Sequence, residues 1–200
     1  MEFNTSRTMA IEDVGRGDSV LLLAPTYGAS EPRFCSELLD HGEAPDPAVL
    51  FVTLTDSPDE RIEFWEDHVG ELPALTRFVH TGELRGSGDS AEPDMVRVVR
   101  NPSNLTQLGV EITEALGELK DDSENIGICF RSLSALLQYA SPNQAFQFMQ
   151  VLTDHFKHAG AIGHVHMNPD AHDKQTVATF TQVFDVVVEL DEDGTHQFTK

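Results

Sequence analysis

Five short stretches of this chain are apolar almost from end to end, and segments of helical period separate them. They are SVLLLA (19–24), VLFVTLT (49–55), NIGICF (125–130), AIGHVH (161–166) and DVVVEL (185–190). A strand with one wet face alternates apolar and polar residues. A continuous apolar run suits a strand buried on both faces, and such strands belong to parallel sheets. Alternation with helices then predicts a three-layer α/β fold: a mostly parallel central sheet with helices on both faces. MVRVVR (95–100) reads as a further short strand. QFTK (197–200), after the turn DEDGTH, is expected to fold back as an antiparallel hairpin.

The helices between these runs carry their own punctuation. In SPDERIEFWEDHVG, Ser57 is placed to cap a helix, Pro58 fits its first turn and Glu60 completes a capping box. SPNQAFQFMQVLTDHFKHAG has the same serine and proline at its start and Gly160 at its end. A chain of 200 residues suits one domain. We divide it into a polar lead-in, 1–17, and a single domain, 18–200. Within the domain 80–94, rich in glycine, serine and acids, reads as a mobile loop.

Charge narrows the partners. Four lysines stand against 34 acids, and the formal net charge is −21. Such a surface repels phosphate backbones, so direct binding of nucleic acid is not expected. Lysine scarcity under an acidic coat is the pattern of a halophile's protein, for in molar salt the Debye length falls to about 3 Å and self-repulsion is screened. Cys35 and Cys129 have no C-x-x-C spacing and sit among apolar residues, so they are expected to be buried thiols of a reducing cytosol. No apolar run approaches the roughly 18 residues of a membrane span, and the N-terminus lacks a signal-peptide core. A cytoplasmic location is the expectation.

Ligands of such sheets bind beyond the carboxyl ends of the strands, and the first of those ends is a damaged phosphate loop. A working loop reads G-x-x-x-x-G-K-[ST]. Here Pro25 holds the place of the first glycine, Ser30 that of the second, Glu31 that of the lysine and Pro32 that of the hydroxyl. Gly28 is the glycine that remains in the turn. Glu31 has the wrong sign for a phosphate, and Pro32 lacks a backbone donor. Taken alone, Ser-Glu-Pro is also a good helix start.

The segments VLFVTLTDSPDERIEFWEDHVG and NIGICFRSLSALLQYASPNQAFQFMQVL, with the tail FDVVVELDEDG, resemble the RecA superfamily of ATPases and most of all its KaiC-like branch. The resemblance spans about 17–195 and is nearest to an uncharacterised haloarchaeal group that also lacks the loop. It implies a RecA-like fold with a degenerate nucleotide site. The magnesium-binding aspartate of the family falls at Arg131, ahead of Ser132. Its catalytic acid pair falls at Thr55 and Asp56, of which only Asp56 is acidic. A phosphoryl-transfer site works by electrostatic positioning of phosphate and magnesium, so hydrolysis by the family route is not expected. The sign of both the lysine and the aspartate has changed, and Glu31 and Arg131 are expected to pair with each other; the alternative is that both point into solvent.

GHVHMNPDAHD supplies a second candidate. His164 and His166 share one face of a strand, with His172 and Asp173 nearby, and these are the residues a transition metal would use. No metal or cofactor is assigned on sequence. The leading expectation is a catalytically silent, regulatory RecA/KaiC-like domain that binds a protein partner or itself. The alternatives are an ATPase holding Mg–ATP by non-standard contacts, and a metal-dependent enzyme built on His164, His166 and His172.

Overall fold

The computed structural model describes residues 11–25, 31–39, 46–83, 93–190 and 196–199, with only the backbone described at 12, 31–33 and 196–199. Eight strands form one sheet: β1 (Ser19–Leu23), β2 (Ala48–Thr53), β3 (Leu75–Thr81), β4 (Val96–Val99), β5 (Ile126–Arg131), β6 (Ile162–Met167), β7 (Val186–Leu190) and β8 (His196–Thr199). Their order is β4-β3-β2-β5-β6-β1-β7-β8. Every pairing from β4 to β7 is parallel, and β8 returns antiparallel on β7, as the turn at its start predicts.

Among the described residues six α-helices cover the sheet: α1 (Glu31–Leu39), α2 (Pro58–His68), α3 (Leu105–Asp122), α4 (Leu133–Leu136), α5 (Pro142–Ala159) and α6 (Lys174–Phe180). α1 and α2 lie on one face, against Val20, Leu22, Val49, Phe51, Phe78, Val186 and Val188. The other four lie on the opposite face. There Leu108 and Ile112 of α3, Leu136 of α4, Met149 and Phe156 of α5 and Phe180 of α6 pack on Leu21, Leu50, Val52, Phe130 and Val165. Alternate residues of each strand therefore serve alternate cores, which is why the strands read as unbroken apolar runs. The fold is the three-layer α/β architecture expected.

The helix ends obey local chemistry. Ser57 and Glu60 close the predicted capping box on α2, Ser141 and Gln144 close one on α5, and Gly160 ends α5 in the left-handed region at φ 69°. Along α3, Glu111, Glu114 and Glu118 recur on one face, and Arg97 of β4 reaches all three at 2.6–3.0 Å. One of the few cations thus gathers three of the many acids.

Two expectations are revised. β3 is absent from the sequence reading, and His80 and Thr81, assigned there to a loop, are its last two residues, both buried. Of that loop, 84–92 lie outside the described residues. Within the lead-in, Ile11–Asp13 is a short 3-10 turn, and Ile11 and Val14 pack against the core beside α1. Among the described residues no helix is long and apolar enough to cross a membrane.

At Gly163 of β6 the sheet lies close against Phe156 of α5. A Cβ there would lie 2.2 Å from Cδ2 of the buried Phe156 ring. Overpacking of this kind costs about 1–3 kcal/mol. Gly163→Ala is expected to lower the urea midpoint at unchanged slope, and Phe156→Leu added to it should recover part of the loss. An unchanged midpoint in Gly163→Ala would contradict this packing.

Candidate functional site

Two polar groups of residues stand out, one at the carboxyl ends of the strands and one inside the sheet. At the ends, β2 and β5 are neighbours in register, Thr53 opposite Arg131. Leu54 continues the ladder by donating its N–H to the Arg131 carbonyl at 2.8 Å. This holds the next residues, Thr55 and Asp56, beside the Arg131 side chain. Arg131 Nε donates to Asp56 Oδ2 at 3.0 Å, and Thr55 Oγ1 donates to Asp56 Oδ1 at the same length. Both partners of the ion pair are part-buried, at 20% and 34% exposure. Ser132 caps α4 by accepting from Ala135 N.

The phosphate-loop positions divide. Pro25 ends the strand segment, partly buried. Gly28 and Ser30 lie outside the described residues, as do the side chains of Glu31 and Pro32, so the Glu31–Arg131 pairing lies outside them too. β6 separates β1 from β5, so the two positions are not on adjacent strands. Among the described residues the acid against Arg131 is Asp56, and the arginine does not point freely into solvent.

Beside this pair is a polar cavity of 450 Å³, lined by Thr55, Ser57, Glu60, His80, Glu83 and Tyr139 among others. His80 Nδ1 lies 2.9 Å from Thr53 Oγ1. Burial lowers the His80 pKa, and hydrogen bonding with the Glu83 and Asp56 backbone and the charge of Glu60 oppose this only in part.

The histidine stretch is split between two places. His172 Nε2 meets Ser134 Oγ at 2.9 Å, and that hydroxyl also accepts from Asn168 N at 3.0 Å. Asp173 caps α6, accepting from Thr176 N at 2.9 Å. His164 and His166 lie within β6, buried, with their rings 4.9 Å apart on the face covered by α1. Their companions there are the two cysteines, both buried free thiols as the sequence predicts. Cys129 of β5 lies in register with His164, and Cys35 descends from α1. Cys35 Sγ is 3.1 Å from His164 Nε2 and 3.7 Å from Cys129 Sγ, and Cys129 Sγ is 3.4 Å from His166 Nε2.

Electrostatics in this cluster are uneven. The hydrogen bond with Cys129 holds the Cys35 thiol well below its usual range against desolvation, with His164 and His166 assisting. Burial pushes the Cys129 thiol up and the His164 imidazole down. The buried guanidinium of Arg61, stacked 3.8 Å from the Phe64 ring centroid, adds a positive field that favours thiolate and neutral imidazole.

A family model matches residues 17–190, and the chain belongs to that family, a family of unknown function (DUF7504). No curated protein sequence matches. Solved structures do match, 433 chains of them, so the fold is too widely shared to decide an activity. One is a protein from Pyrococcus horikoshii OT3, the subject of a structural study, to which this chain is similar at 14% identity and a TM-score of 0.64. The match covers 96% of this chain and 92% of that one.

His80 gives the strand ends a pH signature. Its folded pKa is depressed, so its contribution to stability is fully present above its unfolded value of about 6.5 and is lost as pH falls through the lower folded value. The wild type is therefore expected to lose more stability between neutral pH and mild acid than His80→Gln does. Equal losses in denaturant titrations of the two proteins would overturn the assignment.

Proposed function

We propose that this chain is a catalytically silent RecA/KaiC-like domain, a regulatory module that works by binding a protein partner and not by hydrolysing nucleotide. The observation that carries the reading is the Arg131–Asp56 ion pair at the ends of β5 and β2. In the family that the sequence resembles, these positions hold the magnesium-binding aspartate and one of the catalytic acids. Here the first is a cation, and the second is occupied in neutralising it. A magnesium–phosphate group brought to this corner would meet the guanidinium where the metal belongs. It would also find the remaining carboxylate already hydrogen-bonded twice, by Arg131 and by Thr55. Glu31 in the lysine position adds a further repulsive charge for a phosphate.

An interaction module needs apolar surface in water, and the groove between α3 and α5 has some. It is a cavity of 580 Å³, with Val110 and Val151 exposed at its rim and Phe148 and Leu152 in its walls. Its acidic coat favours work in high salt, where charges on both partners are screened.

Thermal melts in molar KCl, with and without millimolar Mg–ATP or Mg–ADP, test the reading. A ligand at 100 times its dissociation constant adds about 2.7 kcal/mol, or roughly 5–10 °C at this chain length. No shift is expected with either nucleotide. A shift of that size would replace the proposal with a nucleotide-binding protein of unusual contacts.

A further inference from the structure

We propose that Cys35, Cys129, His164 and His166 form a closed, structural Zn²⁺ site between α1 and the centre of the sheet. Three elements deliver these side chains to one point. β5 and β6 are neighbours, and their register sets Cys129 opposite His164. His166, two residues on, turns to the same side. Cys35 completes the set from the inner face of α1. The four donor atoms, two sulfurs and two imidazole nitrogens, all lie within 4.8 Å of one another, and all four residues are buried.

The chemistry of this set is that of zinc. Tetrahedral zinc bonded to two thiolates and two imidazoles, with Zn–S near 2.3 Å and Zn–N near 2.0–2.1 Å, has ligand-to-ligand edges of about 3.3–3.8 Å. The three contacts of the cluster, at 3.1, 3.4 and 3.7 Å, are close to those edges. The remaining separations, none above 4.8 Å, would contract by at most about 1.5 Å to close the tetrahedron. A sulfur–sulfur distance of 3.7 Å is far from the roughly 2.05 Å of a disulfide. With four protein donors and no exposed residue among them, the site has no open position for water or substrate. That makes it structural and not catalytic.

Burial itself calls for a strong ligand. His164 is fully buried, and its Nδ1 has no hydrogen-bond partner among the described residues. The contact left to its ring is a soft one, to a thiol. A metal bond at Nε2 would replace that soft contact with a strong one, and Nδ1 would keep the ring's proton. Charge balances as well. Zn²⁺ and two thiols give a neutral dithiolate complex, and two protons leave to solvent. The metal and its four ligands carry no net charge together, and the field of Arg61 favours the deprotonated sulfurs.

The inference is independent of the proposed function, because no nucleotide contact enters it. The test uses the untagged full chain purified in KCl. Elemental analysis is expected to find stoichiometric zinc, falling to trace levels in Cys129→Ser and in His166→Gln. Reduced, metal-stripped protein titrated with Co²⁺ alone is expected to develop thiolate-to-cobalt charge-transfer bands and intense visible bands, saturating at one equivalent. Zinc then bleaches them. Histidines on the surface can bind cobalt but give no thiolate band, so the spectrum separates this site from them. It also stands on the wild type if a variant fails to fold. A folded chain without zinc, without cobalt bands and with one melting temperature in zinc and in EDTA would overturn the site. Thiol titration in denaturant then names what is there: two reactive thiols mean a hydrogen-bonded pair, and none before reductant means a disulfide.

Discussion

A parallel sheet between two helix layers offers neither face to water, and most of this molecule follows from that constraint. Each strand must be apolar on both sides, because crossover helices occupy both sides. The strands β1, β2 and β5 obey it almost completely. β6, lying between β1 and β5, does not: it carries two histidines on one face while Val165 serves the other. A polar group in such a place must find a partner inside the protein. The partners here are two thiols from neighbouring elements, which sit well in an apolar core and still offer the imidazoles a polar contact. Their grouping explains why β6 can sit in the middle of the sheet and still read as GHVH.

The strand ends follow a different rule, since loops there meet solvent and tolerate charge. Arg131 leaves the apolar run of β5 at its last residue, and Asp56 leaves β2 a few residues past its end. The in-register pairing of the two strands sets them side by side. A single surface ion pair contributes little to stability, and this one is significant for what it occupies. It fills the corner of the sheet with a pair of opposite charges, so the Asp56 carboxylate there is already engaged.

Much of this fold was legible from periodicity because the rule that shapes the strands is a one-dimensional one. The runs at β1, β2 and β5 are apolar on both faces, those at β6 and β7 are apolar enough to read as strands, and the caps Ser57, Ser141 and Gly160 are local. β3 escaped because it is not built that way. Near the sheet edge, Leu75–Thr81 interleaves Thr76, Arg77 and His80 with its apolar residues, and Arg77 turns out to Glu118 of α3. Its end also runs into a glycine-rich stretch that resembles a loop. The Cys/His cluster escaped for another reason. Two histidines at i and i+2 can be read from a strand, but their cysteines are far away in sequence. The contact of Cys129 with its histidine partners depends on β5 lying next to β6, and Cys35 depends on which face α1 covers. Neither fact has a local signature. Proximity in sequence favoured His172 and Asp173, which the chain carries off to a hydroxyl contact and a helix cap.

These observations meet at α1. A helix that follows a phosphate loop is ordinarily fixed at its N-terminus, where backbone N–H groups and the helix dipole grip an anion. In this chain that end begins with Glu31 and Pro32, one repelling an anion and the other lacking a donor. The helix must therefore be held elsewhere. Phe34 and Leu38 pack beside β1 and β7, while Leu39 packs towards β2, and these apolar contacts fix its face on the sheet but not its position along it. Cys35 supplies the missing restraint, because its sulfur must reach the side chains of β5 and β6 at their fixed register. Anchored in its first turns by this cluster, α1 can keep its place over the sheet with no ligand at its tip.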